Sequence, residues 1–301
     1  MGRVTERVPV VRLTGLGTES LRVVRRPDAV AVEEPLEVRV GGQVLTVTMR
    51  TPGADLELAH GYLLAEGVIT RRADVASARY CAGAVAQGPD GAVANTYNVL
   101  EIDLVNPSAL VLDTVSRSVF TSSSCGVCGS SSIEAIAARV PPAGTANVAR
   151  ISPHQLPGML DTLRVAQPVF AQTGGLHAAG LFRLDGGLIA TAEDVGRHNA
   201  VDKVIGAALL AEQLPLHDAA LLVSSRASFE IIQKAAVAGI PIVIAVSAPS
   251  SLAVATARSL GMTLIGFARG ERANVYTGAE RIVSPGSPGD PTVPTRNDDA
   301  G

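Results

Sequence analysis

The second half of the chain alternates short apolar runs with stretches of helical periodicity. The runs AALLVS, IVIAVS and TLIGFA are almost entirely apolar and predict strands that are buried on both faces. Between these runs, apolar residues recur every three to four positions, which predicts helices, and two of the helices are followed by Gly239 and Gly261. Since strands alternate with helices, we expect an α/β fold with a mixed, largely parallel sheet covered by helices on both faces.

The order of the predicted elements over residues 148–283 narrows the fold class further. We expect helices over residues 156–165, 197–214, 228–238 and 252–260, and a hairpin that turns at Asp185-Gly186-Gly187. This order resembles the cytidine-deaminase fold, whose zinc ligands follow the patterns H-x-E and P-C-x-x-C at two helix starts. The matching places here read Arg197-His198-Asn199 and Ser225-Arg226-Ala227-Ser228, so we expect a deaminase-like domain without a structural metal.

The first half of the chain is less regular and predicts a smaller α+β domain over residues 21–147. The runs LEVRV, QVLTVTMR and YNVLEIDL predict strands separated by turns. One helix is expected from Asp55 to Glu66, because Pro52-Gly53 precedes it and Gly67 follows it. Residues 1–20 and 284–301 are predicted to be tails, and the Pro-, Gly- and Asp-rich composition of the second is typical of disorder.

Composition and charge exclude several broad classes of protein. With 47% hydrophobic and 18% charged residues, the chain is typical of a soluble globular protein. Its net charge of −3 does not favour nucleic-acid binding, no apolar run approaches the ~18 residues that span a membrane, and the N-terminus lacks a signal-peptide pattern. Three cysteines in a long chain do not form a secreted disulfide framework, so we expect a cytoplasmic protein. Lysine occurs only at Lys203 and Lys234.

Four polar loops are expected at the carboxyl ends of predicted strands, where α/β sheets commonly bind ligands. They span residues 193–199, 224–228, 247–250 and 267–272. Helix N-termini that follow such loops favour anions, and arginines in the last loop suit phosphate, so a phosphate-bearing ligand is predicted. Ser and Asn at these places also cap helices, which is the structural alternative. The candidate ligand-binding residues are Ser225, Arg226, Ser247, His198, Phe267, Ala268, Arg269, Gly270, Glu271 and Arg272.

The run SSSCGVCGSSS places Cys125 and Cys128 among serine and glycine. A zinc site needs four ligands, and the chain offers neither a second CxxC nor a suitably spaced pair of histidines. The pair also lacks the aromatic residue and the proline that accompany a thioredoxin-like redox pair. A disulfide across so short a loop contributes little stability, and inert core cysteines would have apolar neighbours. Reactive thiols that are presented to large partners fit the sequence better.

The residues that follow the pair favour reactivity. Ser131-Ser132-Ile133-Glu134 fits the S-x-x-E capping box and predicts a helix over residues 133–139, just after Cys128. A helix N-terminus lowers the pKa of a nearby thiol and populates the nucleophilic thiolate. A thiolate on an open loop is suited to relaying an atom between two proteins.

Four stretches, taken in order, resemble the formate dehydrogenase accessory sulfurtransferases, the FdhD/NarQ family. They are RTPGADLELAHGYLLAEGVI (50–69), SSSCGVCGSSSIE (122–134), GGLHAAGLF with TAEDVGRHNAVDKVIG (174–206), and the segment from SSRASFEIIQK to GFARGERANVY (224–276). Together they span about 225 residues. The serines at 130–132 depart from the long side chain expected after the second cysteine, which leaves the helix N-terminus to hold the thiolate.

The resemblance implies a sulfurtransferase. Such proteins take sulfur as a persulfide from a cysteine desulfurase and pass it to the bis-guanine-dinucleotide cofactor of molybdenum or tungsten, which then enters apo-formate dehydrogenase. By the family motif, Cys125 carries the persulfide, Cys128 is its partner thiol, and Phe267 to Arg272 form the cofactor-binding segment. The resemblance also implies a homodimer and the deaminase-like fold.

Two other functions stay open at this point. In one, the protein is a chaperone that holds the cofactor at the sheet edge and docks it into the apo-enzyme, while the cysteines serve structure alone. In the other, Cys125 and Cys128 form a titratable disulfide in a thiol–disulfide oxidoreductase.

Three residues near the polar loops have both a functional and a structural interpretation. His177 is a candidate pocket residue. Glu193 and Asp194 can pair with Arg197 or read the N–H edge of a guanine, and a structural role is expected for at least one of them.

Overall fold

The computed structural model describes residues 3–81, 86–87, 93–94, 98–106, 136–141 and 149–283. Cys125, Cys128 and the predicted start of the helix after them lie outside these ranges, as does the predicted tail 284–301.

The chain begins with a two-stranded antiparallel ribbon. Strand β1 (Thr5–Thr14) pairs with β2 (Arg22–Ala31) in continuous register from Thr5 opposite Ala31 to Thr14 opposite Arg22. The prediction of a tail over residues 1–20 is therefore wrong for the residues of β1. Most side chains of the ribbon are exposed, so it lacks the alternation by which a half-buried strand is recognised.

A four-stranded sheet and one helix form the rest of the first half, as the predicted α+β pattern requires. The strands are β3 (Glu34–Val40), β4 (Gln43–Arg50), β5 (Val75–Cys81) and β8 (Val99–Leu104), in the order β4-β3-β8-β5. Two very short strands, β6 (Ala86–Gln87) and β7 (Val93–Ala94), pair separately. Helix α1 (Asp55–Glu66) has the predicted bounds and ends at Gly67, whose φ of 75° is the left-handed conformation that glycine adopts at low cost.

The second half contains a six-stranded mixed sheet. Its strands are β9 (His177–Arg183), β10 (Leu188–Asp194), β11 (Ala219–Val223), β12 (Ile242–Ala245), β13 (Thr263–Arg269) and β14 (Arg272–Thr277), in the order β10-β9-β11-β12-β13-β14. Only β11 with β12 and β12 with β13 pair in parallel in this sheet of the described chain. The prediction of a mixed sheet is confirmed, but the prediction that it is largely parallel is wrong. Tight turns between β9 and β10 and between β13 and β14 require antiparallel pairs.

Helices cover both faces of this sheet, as expected. They are α2 (Leu156–Val165), α3 (Pro168–Thr173), α4 (Arg197–Leu210), α5 (Phe229–Val237) and α6 (Ser251–Ser259). Side chains of β11 alternate between the faces: Leu222 packs in a cluster with Met159 of α2, whereas Leu221 packs in a cluster with Val204 of α4. Helix α4 ends four residues before its predicted end, and α3 was not predicted.

One hydrophobic core joins the two halves of the chain. Leu36 of β3, Leu63 of α1, Val204 of α4 and Leu221 of β11 belong to the same buried cluster. Helices α1 and α4 pack so closely that a Cβ added to Gly206 would lie 1.8 Å from a backbone oxygen of α1. The predicted boundary near residue 147 thus divides regions that share a core, and the domain limits stay predictions.

Both lysines of the chain are buried in ion pairs. Lys203 Nζ lies 2.7 Å from Asp194 Oδ2, and Lys234 Nζ lies 2.7 Å from Asp202 Oδ1. Lys203 also donates to the carbonyl oxygen of Thr51 at 2.9 Å, so the first pair ties β10 and α4 to the end of β4. Breaking such a pair leaves an uncompensated buried charge, which costs about 3–5 kcal/mol. No described helix is long and apolar enough to cross a membrane.

Candidate functional site

The four predicted loops lie at one edge of the six-stranded sheet. Strands β10, β11, β12 and β13 run in the same direction, because β9 is antiparallel to both of its neighbours. The loops also contact one another: Ser250 N donates to Ala227 O at 3.0 Å, and Phe267 N donates to Ser247 O at 3.1 Å. The prediction that these loops meet is confirmed.

A cleft of about 680 Å³ opens at this edge, a size that accommodates a nucleotide. One wall is α2 and the residues after it. The second wall runs from α3 to His177 at the start of β9, and the third consists of the ends of β11, β12 and β13. The cleft therefore lies where the sheet edge meets the helix that covers one face of the sheet.

The predicted segment Phe267–Arg272 is a hairpin turn. It contains the end of β13, the turn Gly270-Glu271 and the start of β14. Arg269 and Arg272 lie opposite each other in the register of the two strands. Ala268, Arg269 and Gly270 line the cleft, whereas Glu271 and Arg272 line a neighbouring cavity of about 590 Å³ that also includes Ala268 and Gly270. Phe267 lines neither cavity; it is 42% exposed and has a φ of 52°.

The other four candidate residues lie beside the cleft and do not line it. Ser225 is buried and donates to the carbonyl oxygen of Arg226 at 3.1 Å, while Arg226 is exposed. The carbonyl oxygen of Ser247 accepts a hydrogen bond from Phe267 N. His198 follows the first residue of α4 and contacts the start of α5.

His198, Ser228 and Glu230 form a polar cluster between α4 and α5. His198 Nε2 lies 3.0 Å from Ser228 Oγ and 3.2 Å from Glu230 Oε2, and Ser228 Oγ donates to Glu230 at 2.9 Å. The hydrogen bond from His198 lowers the pKa of Glu230 to about 2. The structural interpretation of these serines, that they cap helices, is confirmed at Ser250, whose hydroxyl accepts a hydrogen bond from Ala253 N at 3.2 Å. The Ser228 hydroxyl, in contrast, caps no backbone N–H of α5.

Glu193 and Asp194 both have structural roles. Glu193 accepts hydrogen bonds from Val169 N at 3.0 Å and Phe170 N at 2.7 Å, at the N-terminus of α3. Asp194 is fully buried and, besides Lys203, accepts from Thr51 N at 3.1 Å. The expectation of a structural role for at least one of them is confirmed for both.

His177 lines the cleft, as its interpretation as a pocket residue predicted. Burial, followed by the nearby positive charge of Arg197, lowers the pKa of His177. The imidazole is therefore neutral at neutral pH and presents one donor and one acceptor nitrogen.

Comparison with known proteins decides the family. The model of the FdhD/NarQ family matches residues 31–283. The chain belongs to the FdhD/NarQ family. A sulfur carrier protein FdhD from Nocardia farcinica is 54% identical over 286 residues, which cover 94% of this chain and 96% of the relative. One from Mycobacterium tuberculosis is 53% identical over 265 residues, which cover 87% of this chain and 94% of the relative.

A solved structure shares the fold of this FdhD/NarQ chain. It is the crystal structure of a formate dehydrogenase accessory protein from Desulfotalea psychrophila, with a TM-score of 0.69 and 24% sequence identity. The match covers 93% of this chain and 100% of the other. The match supports the α/β architecture of the described residues. The β1–β2 ribbon lies almost wholly before the residues that the family model matches.

Sequence reasoning missed the cleft wall of this FdhD/NarQ protein that α2 contributes. Asp161 and Arg164 of α2 line it, Gln167 follows just after the helix, and Phe170 of α3 lies beside them. The polar residues of α2 alternate with apolar ones as in any amphipathic surface helix, so their position at a ligand cleft depends on the tertiary structure.

The described residues give no account of the cysteine loop itself. The end of the predicted helix 133–139 is seen: Arg139 N donates to Ile136 O at 2.8 Å, and Arg139 Nη1 donates to Ala65 O of α1 at 3.3 Å. Ile136 is buried in the shared core. Within the described parts of the chain, no group of three or more His, Cys, Asp or Glu side chains has a geometry that could hold a metal ion.

Proposed function

We propose that the protein is a sulfurtransferase that carries a persulfide on Cys125 to the bis-guanine-dinucleotide cofactor of molybdenum or tungsten, as formate dehydrogenase activity requires. The observation that carries the proposal is the 54% identity, over 94% of the chain, to a protein named as a sulfur carrier. The pair Cys125 and Cys128, with a capping-box sequence after it, supplies the nucleophile that this role needs.

Sulfur loading is a thiol exchange in which atoms and electrons balance. The Cys125 thiolate attacks the outer sulfur of a persulfide on a cysteine desulfurase, the bond between the two desulfurase sulfurs breaks, and the desulfurase leaves as a thiolate. Cys125 then bears the outer sulfur as its own persulfide. Cys128 is the neighbouring thiol that takes part in relay or release.

The cofactor is a bound substrate, and its proposed site is the carboxyl edge of the six-stranded sheet. The cleft of about 680 Å³ and Arg269 at its wall support this placement. Ala268 and Gly270 complete that side, Glu271 and Arg272 extend the surface into the neighbouring cavity, and His198, Ser225, Arg226, Ser247 and Phe267 border it. A deaminase-like arrangement of the second half, without the metal, is part of the proposal.

The proposed role requires one partner that supplies sulfur and one that receives the cofactor. A cysteine desulfurase loads the sulfur, and apo-formate dehydrogenase receives the finished cofactor. The proposal includes a homodimer and a cytoplasmic location, since both cofactor assembly and desulfurase chemistry require a reducing compartment for free thiols.

Mass spectrometry tests the sulfur step. After incubation with a cysteine desulfurase and cysteine, the intact protein gains about 32 Da, the mass of one sulfur atom, and the gain is lost on reduction. Cys125→Ala abolishes the gain, whereas Cys81→Ala, which removes a cysteine outside the motif, retains it. A gain that survives Cys125→Ala contradicts the proposal.

Formate dehydrogenase activity separates this role from a chaperone without sulfur transfer. In cells that carry the Cys125→Ala, Cys128→Ala protein, we expect no active enzyme. Full activity in that background favours the chaperone, and a Cys125–Cys128 disulfide with nucleotide-independent reductase activity favours the oxidoreductase.

A further inference from the structure

The β1–β2 ribbon carries an exposed apolar cluster on one face of the half that lies next to its turn. Residues that lie directly opposite each other in an antiparallel pair share a face, and the two faces alternate along each strand. Leu13 lies opposite Val23 and Val11 lies opposite Arg25, so this face is mainly apolar. Val11, Leu13 and Val23 are 49–62% exposed. Burial of such a cluster against another surface is favourable, and exposed apolar clusters commonly mark interaction sites.

The opposite face of the same half is basic. Arg12, Arg22 and Arg26 lie on it by the register of the two strands. Arg26 lies 4.0 Å from Asp28, whereas Arg12 and Arg22 have no ion-pair partner among the described residues. Residues 3–31 contain six arginines and three acidic residues, although the net charge of the whole chain is −3. The ribbon is therefore a basic and partly apolar extension of a protein whose remaining residues have a net negative charge.

The ribbon adjoins the cleft at the carboxyl edge of the six-stranded sheet. Strand β2 packs against α3, and Phe170 of α3 lines the cleft. Ala31 at the end of β2 lies next to Gly175, another lining residue, because a Cβ added to Gly175 would lie 3.6 Å from the Cβ of Ala31. A macromolecule that covers the ribbon therefore lies beside the cleft.

The composition of the ribbon favours a protein as its partner. Residues 3–31 contain no aromatic residue, whereas membrane-interface segments and sites for single-stranded nucleic acid use aromatic side chains. Pro9 and Pro27 lie opposite each other. Proline is tolerated in a strand pair where its nitrogen points outward, so each outer edge lacks a donor there, which disfavours addition of a further strand, including one from a second copy. The two faces of the ribbon, rather than its edges, are suited to contact a partner.

We propose that the ribbon docks the protein that receives the ligand of the cleft, and that the docking surface of this partner combines apolar side chains with carboxylates. The apolar cluster is buried against the partner, and the arginines pair with its carboxylates. The proposal rests on the proposed function, in which apo-formate dehydrogenase receives the cofactor. With this partner held beside the cleft, the cofactor passes between neighbouring sites without release into solvent.

The binding kinetics of apo-formate dehydrogenase on the immobilised full-length protein test the docking surface. Leu13→Thr with Val23→Thr makes two opposing apolar positions polar but keeps a β-branched residue at each. We expect this variant to bind about tenfold more weakly, mainly because dissociation is faster. Arg12→Gln with Arg22→Gln removes two charges. We expect slower association at about 0.05 M salt, and a rate equal to that of the wild type at about 0.5 M salt.

Leu188→Thr and Arg258→Gln are the matched controls. Leu188 is 40% exposed at the start of β10, which is the opposite edge of the sheet from the cleft, and Arg258 is exposed near the end of α6. Both variants keep the wild-type kinetics. Thermal unfolding and circular dichroism verify that the ribbon variants stay folded. The arginine variant changes only exposed side chains, so it tests the proposal even where the apolar variant loses the ribbon.

Three results overturn the proposal. The first is apo-formate dehydrogenase that binds the wild type and both ribbon variants alike, or that does not bind the wild type. The second is a loss confined to binding of the cysteine desulfurase. The third is wild-type protein that sediments with vesicles of phosphatidylserine and phosphatidylcholine while the ribbon variants do not, because the ribbon then contacts a membrane.

The outcome is separable from that of the sulfur assay. Protein that docks apo-formate dehydrogenase through the ribbon but never forms a persulfide on Cys125 retains the docking surface and refutes the proposed sulfur transfer. Ribbon variants that form the persulfide as the wild type does, and that also bind apo-formate dehydrogenase unchanged, refute the docking surface alone.

Discussion

At the residue scale, buried charges decide how the polar loops are held. Lys203 and Asp194 join β10, α4 and the end of β4 through an ion pair whose two side chains are 3% and 0% exposed. A composition with only two lysines marked Lys203 and Lys234 as unusual, but it did not name their partners. The partners depend on which helices meet, because Asp202, adjacent in sequence to Lys203, binds Lys234 instead. Consecutive residues of a helix project in different directions, so Asp202 and Lys203 meet different neighbours.

The hydrogen bond between His198 and Glu230 predicts how the stability of the protein depends on pH. The pKa of Glu230 in the folded protein is about 2, against 4.5 as its ordinary value, because His198 donates to its carboxylate. As pH falls, the unfolded chain therefore takes up this proton first. The stabilisation that Glu230 contributes is present above pH 4.5 and is lost between pH 4.5 and about 2.

Chemical denaturation of wild-type protein and Glu230→Gln at several pH values measures this effect. We expect the difference in the free energy of unfolding to shrink as pH is lowered through this window. Glu19→Gln, which changes an exposed carboxylate outside the ion pairs of the described residues, is the control. A difference that is constant from pH 6 to pH 2.5 contradicts the assignment.

At the element scale, the crossing of α1 and α4 holds the two halves together. Gly61 and Gly206 lie where the backbones meet, and a Cβ on Gly61 would come within 2.0 Å of Asp202 O. Glycine in a helix interior costs about 1 kcal/mol relative to alanine. Glycine at this crossing is therefore explained by close packing, since any side chain would push the helices apart.

Gly206→Ala tests the crossing. Despite its higher helix propensity, we expect alanine to lower the free energy of unfolding by about 2–3 kcal/mol, because a Cβ has to displace backbone atoms of α1. Gly158→Ala in α2 is the matched control: apart from its chain neighbours and the backbone of its own helix, nothing lies within 4 Å of a Cβ at this position, so the change is neutral or stabilises by up to about 1 kcal/mol. Equal effects of the two substitutions in urea unfolding refute the packing argument.

The elements also show where sequence patterns succeed. Helices α1 and α2 have the predicted bounds, since glycine or a change of periodicity marks their ends. Strands β1 and β14 were missed because most of their side chains are exposed, so no alternation distinguishes them from loop. Pairing with a neighbour, rather than burial of one face, specifies such strands.

At the scale of the whole molecule, the shared core makes the two halves dependent on each other. Leu58 and Leu63 of α1 are nearly inaccessible, and they pack in the same cluster as Val204 and Ile205 of α4. Separation of the halves would expose both apolar faces to water, at about 25 cal/mol for each Å² of apolar surface.

We therefore expect residues 148–301, produced alone, not to fold into a stable domain. The fragment should aggregate or bind a hydrophobic dye strongly, and added residues 1–147 should reduce dye binding. Sedimentation and dye fluorescence measure both effects, with the full-length chain as the control. A fragment that unfolds cooperatively by itself, with the stability of the whole protein, shows that the shared core is dispensable.

The sequence by itself determined the family, the cysteine pair and the convergence of four loops at one sheet edge. Each of these depends on local patterns: a motif of fixed spacing, and apolar runs whose alternation with helices sets strand direction. Only the tertiary structure decided which side chains line the cleft. Asp161 and Arg164 of α2 and Gln167 after it line the cleft beside Ala268, Arg269 and Gly270, because packing of α2 against the sheet brings them beside strand ends about 60 to 110 residues away. The separation of these residues in sequence does not predict the contact between α2 and the strand ends, because that contact results from burial of apolar faces.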